Sequence, residues 1–343
     1  MILAGRLNVN LYEQTKALWD EKAAARADQL AHAIRAAEPE VRKAACQFHE
    51  WKPLRFYLSV SGASGSGTRR SPTPIFSVRF SGQNVAKLTV APTPMLRVGP
   101  KHESTTRRDF GLSTPAWKGG RDWNSPEARE FRARFKRLAE TGQIVGHSEE
   151  HAVESRIIEE LEDRERKTKF SGTFANVRPV SLAGFPFQCV LPISASKGVP
   201  KFTDGHIDIL TRRGHGKGVR LGVWELKRPG KVDVDCALKQ AYIYAVTLAL
   251  MLRDKNGPDW YRIFGFKGPL PRRLELESVV AVSWDIRQAV ERAAQKFMKQ
   301  NSFDLDDNVH IKPFAAYYDP ETLKIDFQPL GRGSSQNLSA GSW

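Results

Sequence analysis

Two short apolar runs, GHIDIL (Gly205–Leu210) and VWELKRPG (Val223–Gly230), carry charged side chains where a buried strand normally tolerates none. Both have the length and residue types of strands and lie close to glycine or proline. A carboxylate in such a run is costly to bury without a compensating cation or metal ion. Asp208, Glu225 and Lys227 therefore restrict how the chain can fold, because the two runs must either meet or find partners elsewhere. Residues i and i+2 of a strand project to the same side. Glu225 and Lys227 thus share one face, and Trp224 and Leu226 share the other. A neighbouring strand bearing Asp208 would bring its carboxylate into the space that Glu225 and Lys227 occupy.

An acid-x-Lys pattern alone says little, because the chain contains four: at Asp20, Glu50, Glu165 and Glu225. The Asp20 and Glu165 copies lie in charged helical stretches, where i and i+2 face different ways. The Glu50 copy precedes Pro53 and has no acid on a neighbouring strand. Only Glu225-Leu226-Lys227 sits in an apolar strand. Two carboxylates so placed suit a hard cation such as Mg²⁺ or Mn²⁺, with open positions left for water and phosphate. The lysine would orient or deprotonate an attacking water, or stabilise charge in the transition state. The set points to metal-dependent phosphodiester hydrolysis. The structural alternative is a partly buried Glu–Lys pair with an unrelated aspartate.

Two helices agree with the catalytic reading. Upstream, Val153, Ile157, Ile158 and Leu161 define an apolar stripe at 100° per residue. Glu150 and Glu154 fall within that stripe, and Glu159 points away. Downstream, Gln240 and Tyr244 are four residues apart on one face of an apolar helix, where they and the neighbouring Arg228 would bind substrate.

Composition bounds the remaining possibilities. A chain of 343 residues suggests two domains or one large one with insertions. Cys46, Cys189 and Cys236 are too far apart for a disulfide framework or a zinc motif. The first residues lack an apolar stretch of signal-peptide length, and Ala241–Leu252 is too short and interrupted to span a bilayer. A cytoplasmic protein with no membrane partner is expected. The net charge of +15 is unevenly spread: 51–121 holds twelve Lys/Arg against Glu103 and Asp109, interleaved with Trp51, Phe56, Tyr57, Phe76, Phe80, Phe110 and Trp117. That mixture suits a polyanion whose phosphates are neutralised and whose bases stack. A solvated surface over ordinary core aromatics is the alternative.

The pattern predicts a helix over Leu11–Arg42, then strands at Arg55–Gly62, Ile75–Gly82 and Val85–Ala91 with a hairpin turn at Ser81–Asn84. A Gly/Ser-rich stretch (62–74) separates the first two strands, and a basic loop follows over Val98–Asn124. Ser125-Pro126 starts a helix to Glu140, and a second runs over His147–Lys167. Strands follow at Phe187–Ser194, GHIDIL and Gly218–Lys227, then a helix over Val234–Arg253. A strand near Trp260–Phe266 and another at Leu276–Trp284 precede a helix over Ile286–Gln300. A strand pair, Phe314–Asp319 and Leu323–Pro329, ends the fold. The expected division is 1–124 as a basic helix-plus-sheet region that grips nucleic acid, 125–330 as the domain bearing the acids, and 331–343 as a disordered tail.

In this order of elements, the block from about Glu149 to Trp284 resembles the PD-(D/E)xK nuclease superfamily, the fold of restriction endonucleases and RecB-type exonucleases. Glu154, Asp208, Glu225 and Lys227 match its catalytic positions, and Gln240 with Tyr244 match a RecB-like Q-x-x-x-Y. His151-Ala152-Val153-Glu154 is similar to the His-bearing first motif of RecB-like nucleases, with His147 as a competing choice. Asp208 departs from the pattern in lacking a preceding proline. The resemblance implies an α+β or α/β fold with a restriction-endonuclease-like core, a mixed central sheet flanked by helices. It further implies Mg²⁺ or Mn²⁺ on Asp208 and Glu225 with Glu154 in support, and activation of water by Lys227. DNA is the expected partner, and a restriction, phage-defence or repair setting would suit such a chain, with nothing in the sequence to choose among them. Cleavage of both strands would call for a homodimer with two sites. An RNA-directed nuclease and an inactive nucleic-acid-binding protein on the same fold are the alternatives.

Overall fold

The computed structural model describes residues 10–48, 51–59, 75–90, 93–117, 119–141, 149–162, 177–213, 220–230, 232–306, 308–322 and 324–331. The Gly/Ser-rich stretch 62–74, His147, the side chain of His151 and the tail from 332 onward lie outside the described residues. The chain is mixed α+β, with two main sheets and flanking helices.

The N-terminal helical stretch is two helices, α1 (Leu11–Ala17) and α2 (Glu21–Phe48), rather than one. Asp20 makes the break: its carboxylate accepts the backbone N–H groups of Lys22 and Ala23 at 2.9 and 3.0 Å, as an N-capping side chain does. Pro39 deprives the Arg35 carbonyl of its intrahelical donor without ending α2. Strands β1 (Arg55–Ser59), β2 (Ile75–Phe80), β3 (Gln83–Thr89), β4 (Met95–Arg97) and β5 (Arg121–Asp122) form an antiparallel sheet in that order. The β2–β3 turn is Ser81-Gly82, both at positive φ (45° and 78°), as a tight two-residue hairpin requires.

The basic stretch after β4 is not all loop. Helix α3 (Pro100–Phe110) opens with proline in its first turn and ends on Gly111 at φ 65°. Its buried positions are His102, Thr106, Asp109 and Phe110, so no apolar stripe marks it in the sequence. Helix α4 (Pro126–Glu140) starts as expected, with the Ser125 hydroxyl accepting from Ala128 N–H. Its Phe135 ring lies 5.0 Å from Phe80, and its Phe131 lies 5.7 Å from Trp117. The aromatics of 51–121 are therefore mostly core: Phe56, Tyr57, Phe76, Phe80 and Phe110 are buried, and Trp51 and Trp117 are half-buried. They do not form a platform for stacking bases.

Helix α5 (Glu149–Glu162) leads to β6 (Val177–Pro179) and the small hairpin β7 (Ser181–Leu182)–β8 (Phe185–Pro186). Among the described residues, strands β9 (Val190–Ser194) and β10 (Lys201–His206) pair only with each other. The larger sheet runs β14-β15-β13-β12-β11-β6, where β11 is Ile209–Arg213, β12 Arg220–Leu226, β13 Leu274–Ser283, β14 Asp304–Leu305 and β15 Val309–Tyr318. Strand β16 (Ile325–Pro329) shares the outer edge of β15 with β14. Strands β12, β13 and β15 are parallel, and the other pairings are antiparallel.

Helix α6 (Val234–Arg253) packs with Leu221, Val223, Val280 and Val282 in the main core, and α8 (Arg287–Gln300) joins it through Val290, Ala294 and Phe297. By length and composition α6 could cross a membrane, yet 67% of its most apolar window is buried inside the protein. Val153, Ile157, Ile158 and Leu161 of α5 instead cluster with Trp224, Leu226, Val279 and Ala281. Removing each such side chain from water is worth about 1.5–3 kcal/mol.

The expected strand at Trp260–Phe266 is a helix, α7 (Gly257–Ile263). Its aromatic content favours a strand. Pro258 in the first turn and the i,i+4 contact of Trp260 with Phe264, 5.7 Å between rings, favour a helix.

Candidate active site

The run GHIDIL is not one strand. It divides at Ile207-Asp208, where the chain leaves β10, which pairs with β9, and enters β11, which pairs with β12. Ile209 faces Trp224 in the antiparallel register, so Asp208 comes opposite Glu225. The Asp208 carboxylate accepts the backbone N–H of Leu226 at 2.8 Å, which fixes the joint. Gly205 makes the approach possible. A Cβ there would stand 2.7 Å from the Ile193 carbonyl oxygen and 2.9 Å from the Tyr244 ring.

Trp224 and Leu226 face α5, as alternation predicts, leaving Glu225 on the face that carries Leu221 and Val223. Lys227 follows the strand directly. Its Nζ donates to Glu225 Oε1 at 2.5 Å, its N–H bonds Ala281, and its carbonyl accepts from the Tyr318 hydroxyl at 2.6 Å. Backbone on both sides thus holds the lysine beside the buried glutamate.

The electrostatics are those of crowded negative charge. Burial first, then Glu225 and Glu154, push the Asp208 carboxyl well above the usual carboxylate range, against the pull of Leu226 N–H and Lys227. Burial also raises Glu225, with Lys227 opposing and Glu150 adding to the rise. Burial lowers Lys227, but Glu225, Asp208 and Glu150 outweigh it and leave the ammonium above its ordinary value. The Lys227 ammonium is thus favoured over the free amine by its acidic neighbours.

Glu154 is buried on α5 and, with Asp208, Tyr57 and Gln188, lines an open cleft. Its carboxylate is engaged by Arg79 of β2 at 2.9 Å, and the Arg79 guanidinium lies 4.1 Å from the centre of the Tyr57 ring. The Tyr57 hydroxyl donates to Ser155 at 3.0 Å. Sequence reasoning gave Arg79 no part in the site, because 75 residues separate it from Glu154. Glu150, which acts on Glu225 and Lys227, is the second α5 carboxylate nearby.

On α6, Cys236, Gln240 and Tyr244 are spaced i, i+4, i+8 along one side. The Cys236 thiol contacts Gln240 Oε1 at 3.5 Å. Burial, then Asp233 and Glu225, raise the thiol, with Lys227 opposing. Burial raises the Tyr244 hydroxyl, and Glu225 and Asp208 add to this, while backbone groups of Ala195 and His206 oppose it. Tyr244 is thus within electrostatic reach of both carboxylates, and Gln240 lies one turn away. Arg228 is exposed just beyond Lys227. Cys236 escaped sequence reasoning because a lone cysteine carries no motif.

Among the described residues, no three His, Cys, Asp or Glu side chains gather closely enough to hold a metal ion by themselves. The donor set nevertheless fits a hard divalent cation. Mg²⁺ is commonly held by one or two carboxylates and otherwise by water, and the half-buried Asp208 stands against the buried Glu225, whose charge raises it. Comparison with known proteins finds no matching family model, no similar curated protein and no similar solved structure.

Proposed function

We propose that this chain is a metal-dependent nuclease that hydrolyses phosphodiester bonds, most readily in DNA, with a core of the PD-(D/E)xK, restriction-endonuclease-like kind. The observation that carries this reading is Asp208 opposite Glu225, with Lys227 bonded to the glutamate and like charge on the surrounding side chains. Asp208 and Glu225 would hold Mg²⁺ or Mn²⁺. When bound, the ion would supply a polarised water and charge stabilisation at the phosphoryl oxygens. Its charge would also compensate the two carboxylates, leaving burial as the main influence on Lys227 and lowering its pKa. Lys227 would then orient the attacking water and exchange a proton with it. Tyr244 and Gln240 would bound the space in which the scissile phosphate sits, and Arg79 keeps Glu154 fixed beside Asp208.

The test is a side-by-side assay of duplex DNA, single-stranded DNA and RNA with and without Mg²⁺. Replacement of Asp208 or Lys227 by alanine is expected to reduce Mg²⁺-dependent cleavage by about 10²–10⁴-fold, with DNA binding retained. Undiminished cutting by both variants sinks the assignment. A second reading, nucleic-acid binding without cleavage, draws on the closed Lys227–Glu225 and Arg79–Glu154 pairs. Calorimetry with no heat of Mg²⁺ or Mn²⁺ binding near neutral pH would favour it.

A further inference from the structure

The N-terminal sheet carries one row of side chains that runs from beside the cleft to open surface. Its register pairs Tyr57 with Ser77, Ser77 with Lys87, and Lys87 with Arg97, so four strands contribute to one line on one face. The Tyr57 end is covered by α5, through Tyr57–Ser155, with Arg79–Glu154 two residues further along β2. Arg55, on the same face, is closed by Glu159 at 2.5 Å and Glu162 at 3.1 Å. Beyond α5 the row emerges as Lys87 and Arg97, both exposed.

These two cations are direct cross-strand neighbours of like sign, an arrangement that is destabilising on its own. Among the described residues neither has a carboxylate within ion-pair distance, and neither does the exposed Lys101 in the first turn of α3. The buried His102 beneath them reports the same surplus: burial, then Lys87 and Lys101, lower its pKa. Its Nδ1 accepts the Gly99 N–H at 3.0 Å. Arg97 is also held close to the backbone, since a Cβ on Gly120 would lie 2.9 Å from its Cγ.

We propose that Lys87, Arg97 and Lys101 form the surface that takes the phosphate backbone of a duplex nucleic acid while a bond of that duplex is held at Asp208 and Glu225. The inference rests on the nuclease reading and adds to it the place where substrate is gripped. A duplex presents one negative charge per about 1.7 Å of its axis, which suits a cluster of cations with no internal partners. An anionic membrane suits it less, because the large exposed apolar side chains among the described residues, Val199, Phe202 and Trp284, belong to other elements.

The experiment titrates a fluorescent duplex of about 20 base pairs against the full chain in EDTA at several salt concentrations. The variants are Lys87→Ala/Arg97→Ala/Lys101→Ala and the charge-retaining Lys87→Arg/Lys101→Arg. The triple variant should bind at least about tenfold more weakly, and the slope of log K against log salt should be shallower by roughly 2.7, about 0.9 for each phosphate that is no longer neutralised. The charge-retaining variant should match the wild type. Single-turnover cleavage in Mg²⁺ should need correspondingly more of the triple variant to saturate, and no more of the charge-retaining one. Unchanged affinity and slope in the triple variant overturn the proposal. So does loss of binding to phosphatidylserine vesicles with duplex binding intact, which would assign the row to a membrane. Cutting that survives Asp208→Ala overturns the site reading instead, and it does so without moving the salt slope.

Discussion

Strand β12 carries buried charge at both ends, and the two ends settle it in opposite ways. Near its start, Arg220 donates to Glu275 at 2.5 Å, Lys312 reaches the same carboxylate at 3.1 Å, and Arg213 closes on the buried Glu277. Arg213 also lies 5.5 Å from the centre of the Phe314 ring. Glu275 ends below its ordinary range because Arg220 and Lys312 outweigh its burial. At the far end, Asp208 and Glu225 have each other, Glu154 and Glu150 as neighbours, and Lys227 and Arg79 as cations. In the first cluster the cations Arg213, Arg220 and Lys312 outnumber the two carboxylates, although burial still raises Glu277 against the pull of Arg213. In the second, four carboxylates face two cations, and a site with surplus carboxylate is where an external cation gains most. Acids in apolar strands therefore do not by themselves mark a site. The marker is that their neighbours fail to neutralise them.

The contrast can be broken most severely at the closed end. Arg213→Ala strands Glu277 without its cation and should cost about 3–5 kcal/mol in urea unfolding, whereas Arg213→Met with Glu277→Leu should be close to neutral. A small effect in the single variant would mean that the closed cluster is not held by that pair. At the open end, a saturating divalent cation should raise unfolding free energy by about 2.7 kcal/mol at roughly a hundred times Kd. The Arg213→Met/Glu277→Leu protein should keep that increment, and Asp208→Asn should lose it. Equal increments with and without Asp208 would remove the distinction between the ends.

The smallest effect has the most diagnostic sign. The Asp208 pKa is raised in the folded state, so the metal-free protein holds this contribution in full below the unfolded carboxylate value, about 3.9. It loses it as pH rises through the higher folded value. Asp208→Asn in EDTA should flatten that decline and stabilise the protein near neutral pH by about 1 kcal/mol, a modest figure because part of the repulsion is screened by solvent. Glu275, whose pKa is lowered, behaves oppositely and loses its contribution as pH falls. Chemical denaturation across pH reads both, and a destabilised Asp208→Asn protein in EDTA would contradict the surplus-charge account.

Much of this was legible in the chain itself. Alternation assigned Trp224 and Leu226 to one face of β12 and Glu225 with Lys227 to the other, the Ser125-Pro126 start marked α4, and periodicity found the inward side of α5. Where reading failed, local signals competed. Helix α3 buries polar residues, so no apolar stripe announced it, and α7 is rich in aromatics that favour strands. GHIDIL has a strand's composition throughout, and only the change of pairing partner at Asp208 divides it.

The sequence by itself determined which residues carry charge into apolar strands, because burial cost and the two-residue strand period are local properties. It also determined that Gln240 and Tyr244 share a helix side. Only the tertiary structure decided who stands beside whom. The β11–β12 register set Asp208 against Glu225, and the packing of α5 between the sheets brought Arg79 to Glu154 across 75 residues. Among the described residues, the same packing left Lys87 and Arg97 without an acid within ion-pair distance. Coulomb interactions depend on distances in space, and those distances exist only once the sheets have met.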